Sequence, residues 1–145
     1  MLRKKDIKIS LFDCKFYDDD SIEITMDVEN ESDENIYVYF SDIIINDNIV
    51  LQEQEDYDNY VLELSYDDIL SEDNGFPVID FYSINEDLYK KIRKISFTIN
   101  VEQEDDSDIA FSKNYEIAIN IKKKDYTLKN NEPHEKWSDF LSKYV

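Results

Sequence analysis

The side chains available for chemistry in this chain are almost all carboxylates. In "QEQEDYDNYVLELSYDDILSED" (52–73) nine acidic residues and three tyrosines stand together with no lysine, arginine or histidine. A glycosidase needs two carboxylates at a defined separation, but among 35 acidic residues some pair meets that condition by composition alone. Calcium needs oxygen ligands spaced around a glycine-containing loop. "FYDDDS" (16–21) and "EQEDDSD" (102–108) offer the oxygens without the spacing or the glycine, so they read as solvated loops, with a weak cation site as the alternative.

Other reactive types are too sparse to build a site. Gly75 is the single glycine, whereas a phosphate-cradling loop needs several so that backbone N–H groups can approach the anion. His134, the only histidine, stands between Pro133 and Glu135 and reads as an exposed or capping residue. Cys14 has no second cysteine, which excludes an internal disulfide and a Cys/His zinc cluster; the thiol is expected in the core of an early strand. The expectation is a protein that is not an enzyme, with no catalytic or metal-binding residues and no cofactor.

What the carboxylates can do is carry charge. The chain has a formal net charge of −19, and from Phe16 to Tyr89 it holds 23 Asp and Glu without one Lys, Arg or His in 74 residues. At the chain's average density about eight basic residues would fall there. Mixed charges give solubility with less self-repulsion than an uncompensated block does, so the block points to a surface that meets a basic protein partner. Tyrosine is enriched where proteins touch, and here it interleaves with the acids. Glu55, Asp56, Tyr57, Asp58, Tyr66, Asp67 and Asp68 are the candidate contact residues.

The expected function is a soluble protein-binding module that engages a basic partner through this acidic, tyrosine-containing face. The alternative is an acidic imitation of nucleic-acid phosphates, an immunity-type inhibitor of a nuclease or other nucleic-acid-binding protein such as phages and mobile elements encode. A second alternative is a cation-stabilised extracellular domain. Direct nucleic-acid binding is disfavoured by a pI near 4.2, because phosphate contacts dominate that affinity. The runs Arg3–Lys5 and Lys122–Lys124 read as solvated strand ends.

The elements that position these residues follow from periodicity. At 145 residues the chain suits one domain, 1–145, burying roughly two thirds of its unfolded surface. "SIEITMDVEN" (21–30) and "NIYVYFSDIII" (35–45) alternate with period two and are expected to pair as a hairpin through the polar "NESDEN". "KISFTINV" (94–101) and "YEIAINI" (115–121) alternate likewise, with the acidic run 102–108 as a loop between them. Residues 7–16 switch phase midway, the mark of a β-bulge. Asn46-Asp47-Asn48 suggests a tight turn.

Helical signals are fewer. "SINEDLYKKI" (83–92) opens with a Ser83/Glu86 capping box and ends on Lys90 and Lys91, and "SYDDIL" (65–70) suggests one turn. In "NEPHEKWSDFLSKYV" the spacing of Trp137, Phe140, Leu141 and Tyr144 predicts a C-terminal helix. The fold class is therefore all-β with minor α: an antiparallel immunoglobulin-like β-sandwich with two or three short peripheral helices, one at the C-terminus.

"ITMDVENESDENIYVYFSDIIINDNIV" (24–50) resembles a motif of small immunoglobulin-like domains of low-GC Gram-positive bacteria. There a strand ending in Val-Glu-Asn leads through a Ser-Asp-x-Asn turn into two strands and an Asn-containing turn. The resemblance implies the sandwich and no catalytic residues. Where a Gly-containing turn is usual, this chain has Asn46-Asp47-Asn48. "MLRKKDIKISLF" alternates and does not run apolar, so no secretory signal is expected, and no stretch approaches the roughly 20 apolar residues of a membrane span. A soluble, cytoplasmic protein is expected.

Overall fold

Alternation of apolar and polar side chains produces the strands seen in the computed structural model, which describes residues 2–47, 49–51, 60–83, 86–129 and 135–137. In chain order these are β1 (Ile7–Phe16), β2 (Ser21–Asn30), β3 (Ile36–Ile45), β4 (Ile49–Leu51), β5 (Tyr60–Leu64), β6 (Asp67–Ile69), β7 (Asn74–Gly75), β8 (Val78–Ser83), a helix α1 (Glu86–Lys90), β9 (Lys94–Gln103), β10 (Asp106–Asn120), β11 (Asp125–Leu128) and β12 (Glu135–Trp137). A 3-10 turn at Lys4–Asp6 precedes β1. One sheet has the order β1-β2-β8-β5, with β7 also against β2. The other runs β11-β10-β9-β3-β4, with β12 against β10 and β6 against β3.

The inward rows of the two sheets make the core. Ile22, Ile24, Met26 and Val28 of β2, with Ile79 and Phe81 of β8, face Ile36, Val38 and Phe40 of β3 and Ile95, Phe97, Ile99 and Val101 of β9, all buried. Each fully buried side chain of this size contributes about 1.5–3 kcal/mol. Phe97 stacks on Tyr115 at 5.5 Å and meets Phe40 edge-on at 5.7 Å. The result is the immunoglobulin-like β-sandwich.

The segments 21–30 and 35–45 are not a hairpin. β2 belongs to the first sheet and β3 to the second, because both bury one face of Ile and Val and face each other across the core. Asn30 makes the crossing. It is 1% exposed; its Nδ2 donates to the carbonyls of Glu34, Ile69 and Leu70, and its Oδ1 accepts from the Ser32 amide. Ser71 Oγ in turn donates to the Ser32 carbonyl at 2.6 Å. The Val-Glu-Asn motif is thus a structural knot that ties the crossover to β6.

The other expectations divide. The bulge in β1 lies between Leu11 and Asp13; of the expected turn, Asn46 and Asp47 are in a turn conformation, and β3 and β4 pair through Ile45↔Ile49. α1 forms within 83–92. β10 starts earlier than expected, at Asp106, with its own bulge before Ala110. Residues 67–69, expected in a helical turn, are the strand β6, since pairing with Ile36–Val38 gives their backbone a ladder. Residues 135–137, expected in a helix, pair with β10 as β12; the rest of that expected helix lies outside the described residues.

Turns without glycine fall to Asp and Asn. Asp20, Asn46 and Asp47 take positive φ, as do Glu72 and Lys124, and so does Asp42 at the β3 bulge between Ser41 and Ile44, while Gly75 does not. Short polar side chains tolerate this left-handed region best after glycine.

Candidate protein-binding face

The base-free block becomes one flank of the sandwich. It forms β2, β8 and β5 in the first sheet and β3, β4 and β6 in the second, whereas the described bases lie mainly in β1, β9, β10 and the turns beside them. β1 sits by β10, where Tyr115 donates its hydroxyl to the Ile9 carbonyl at 3.4 Å. β6 and β7 meet on the other side, as the closeness of Gly75 to Asp67 and Ile69 shows. At the seam Lys94 bridges Asp47 and Glu116, and Lys124 reaches Asp18 at 3.2 Å. Exposed pairs of this kind are worth little individually, but they mark where the two charge regions join.

On the outer face of the seven-stranded sheet, Tyr37 and Tyr39 of β3 point away from the core residues Ile36, Val38 and Phe40. Their rings lie 5.5 Å apart, and Tyr66 stacks on Tyr37 at 6.3 Å with 23° between planes. Asp68 is exposed and stands directly opposite Tyr37 in the β3–β6 ladder. Tyr39 donates its hydroxyl to Glu102 Oε1 at 2.9 Å. Burial, then the bond to Glu102, pushes the Tyr39 phenol up to about 12, so it remains a hydrogen-bond donor. Next to the tyrosines come neutral polar residues, where Asn100 Nδ2 donates to Ser41 Oγ and Thr98 Oγ1 to Asn114 Oδ1, and further along the same face lies the Lys94–Glu116 pair.

Of the contact residues expected from sequence, Glu55, Asp56, Tyr57 and Asp58 lie outside the described residues. Tyr66 and Asp68 share the outer face. Asp67 points inward, half-buried beneath Gly75, and does not join them. Burial raises its carboxyl above the ordinary aspartate value of 3.8, while the Phe76 backbone amide pulls it down and Asp68 and Asp73 push it up. Tyr37, Tyr39 and Glu102 were not singled out. The alternation of β3 carries a signal for the two tyrosines; Glu102 needs the β3–β9 register, which pairs it with Tyr37.

The opposite outer face has its own array. Glu63, Asp80 and Glu23 lie side by side on β5, β8 and β2, with Lys15 of β1 next in the row. Asp80 is raised by burial and then by Glu23, Glu63 and Asp19. A concavity of about 500 Å³ near α1 is lined in part by Tyr89, Ile121 and Lys122. Among the described residues no group of three or more His, Cys, Asp or Glu is placed to hold a metal, and no helix is long and apolar enough to cross a membrane.

No protein-family model matches the chain, and no curated protein does. Among solved structures it is similar to the ASH/PapD-like domain of human CEP192 (PapD-like domain 7), at 11% identity over 80% of this chain and 86% of that one, with a TM-score of 0.46. It is also similar to the YadV chaperone, at 16% identity and a TM-score of 0.47 over 77% of this chain and 49% of the other. The chain therefore spans about half the length of that chaperone.

Proposed function

We propose that the chain is a non-enzymatic binding module that engages a basic protein through the outer face of the seven-stranded sheet beside β6. One observation carries this reading: the Tyr66–Tyr37–Tyr39 array lies on the base-free flank, with Asp68 and Glu102 beside it. Tyrosines supply large, stiff contact area and anchor interfaces. Carboxylates at the rim steer a basic partner and speed association, with strong salt dependence.

Co-purification from the native cell with mass spectrometry supplies the partner for the test. Tyr66→Ala is expected to speed dissociation of that partner and cost about 1–3 kcal/mol of binding, whereas Asp68→Asn slows association at low salt. A folded double variant that binds the isolated partner as tightly and as fast as the parent rejects this face.

A second reading, imitation of nucleic-acid phosphates toward a nuclease or similar protein, is favoured by the Glu63–Asp80–Glu23 row. Neighbouring strands are about 4.8 Å apart, so three charges stand in line across the sheet. Under this reading, duplex DNA competes with the chain for the partner; an identified partner that binds both at once removes it.

A further inference from the structure

Two phenylalanines are left in water on the outer face of the five-stranded sheet. The β1–β2 register passes from Leu11↔Met26 to Asp13↔Thr25, leaving Phe12 in the bulge, 60% exposed. Phe76 follows β7 and is 48% exposed; its neighbour Pro77 accepts the Met26 amide. The two rings meet edge-to-face with centroids 5.4 Å apart. β1 and β7 flank β2 on opposite sides, so rings that touch must close over β2, at the level of its outward-facing Thr25 and Asp27. Two phenylalanines here forgo burial that either would gain in the core.

The charge beside them is unbalanced. Asp27 is only partly exposed, and its Oδ1 is shut off from solvent without a hydrogen-bond partner. A desolvated carboxylate oxygen with no donor is costly and favours a positive charge brought close to it. Glu29 stands one outward position further along β2, and the Glu23–Asp80–Glu63 row lies on the other side. Two lysines of β1 share this outer face: Lys8, opposite Glu29, is paired with Glu31 at 3.3 Å, and Lys15 stands opposite Glu23.

We propose that the Phe12–Phe76 pair is a receiving site for an arginine side chain of a protein partner, with the guanidinium on the ring face and its charge answered by Asp27. Arginine fits better than lysine because its planar, weakly hydrated cation stacks on aromatic rings while its N–H groups turn to carboxylates. The inference shares with the tyrosine-face reading only the basic character of the partner, and it concerns the opposite sheet.

The test is a ¹H–¹⁵N NMR titration at low salt with the peptide acetyl-Leu-Arg-Leu-amide, and with its lysine and citrulline analogues, citrulline being the neutral relative of arginine. Saturable shifts centred on Phe12, Thr25, Asp27 and Phe76 are expected with arginine. Lysine should bind several-fold more weakly and citrulline not measurably, while Phe12→Ser and, separately, Phe76→Ser should weaken the arginine peptide about tenfold. Both residues are exposed, and unchanged shifts elsewhere report that the variants are folded. Equal affinity for arginine and citrulline, arginine binding unchanged in both serine variants, or shifts spread evenly over the acidic surface would each overturn the proposal. Shifts confined to Tyr37 and Tyr66 overturn it too while leaving the tyrosine face standing; shifts at Phe12 and Phe76 alone support it whatever becomes of that face.

Discussion

Gly75 lies so close to Asp67 that a Cβ placed on it would come within 2.5 Å of the Asp67 Oδ2, and equally near the Ile69 side chain. Its φ is not positive, so the only glycine in the chain is there for space. It lets β7 of one sheet approach β6 of the other, closing the acidic flank of the sandwich.

Gly75→Ala is therefore expected to overpack this contact and cost about 1–3 kcal/mol. The check is the midpoint of urea unfolding with the slope unchanged. A midpoint equal to the parent's means that β6 and β7 part freely and that the contact does not matter.

Acidification should stabilise the fold. Asp67 and Asp80 have carboxyls raised above the ordinary value of 3.8, first by burial and then, for Asp80, by Glu23 and Glu63. A carboxyl with a higher pKa when folded binds more protons folded than unfolded, so stability falls as pH rises through the window above 3.8 and is regained on the way down. The melting temperature should climb from pH 7 toward pH 4, and Asp80→Asn should flatten the climb. A flat or falling profile in the parent contradicts this assignment.

Two left-handed positions should respond oppositely to glycine. Glu72 is exposed with φ 64°; Glu72→Gly relieves the backbone, and after the extra freedom of the unfolded chain a net gain of about 0.5 kcal/mol is expected. Asn46 has φ 54°, but its Nδ2 donates to the Lys91 carbonyl and its Oδ1 accepts from the amides of Arg93 and Lys94. Asn46→Gly should lose about 1–2 kcal/mol despite the easier backbone. Equal shifts in denaturation midpoint would show that backbone conformation, and not the side chain, decides position 46.

Cys14 should be chemically silent in the folded protein. It is 4% exposed on the core side of β1, and burial with the nearby Asp13 pushes its thiol up to about 12. Thiolate is the reactive form, so reaction with Ellman's reagent at pH 8 should proceed only as fast as the chain opens. Rapid stoichiometric reaction without denaturant would place the thiol at the surface.

The strands were legible wherever alternation ran for several residues: Ile22–Val28, Ile95–Val101 and Tyr115–Ile119 bury the sides their spacing marks. The bulge at Phe12 was legible as a phase switch. Neighbourhood was not. Nothing in residues 21–45 says whether two half-apolar strands lie side by side or face to face, because both arrangements bury the same residues. The site suffers from the same ambiguity at smaller scale. Asp67 and Asp68 are adjacent and alike in sequence, yet one residue of register sends the first under Gly75 and the second to the tyrosines. Glu102 and the Glu63–Asp80–Glu23 row depend on ladders between distant strands, which local pattern cannot supply.

The separation of β2 and β3 into different sheets bears on how the chain finds its fold. The β1–β2 and β9–β10 ladders are hairpins and close short loops. Every remaining pairing of β2 with β8, or of β3 with β9, joins segments many tens of residues apart. Loop closure must be met before such contacts reward it, and chains dominated by distant strand pairings fold on the scale of milliseconds to seconds. Each hairpin supplies part of a different sheet, so neither sheet can be completed until residues 60–103 lie across both, and the slow step of folding should be the arrival of β8 and β9.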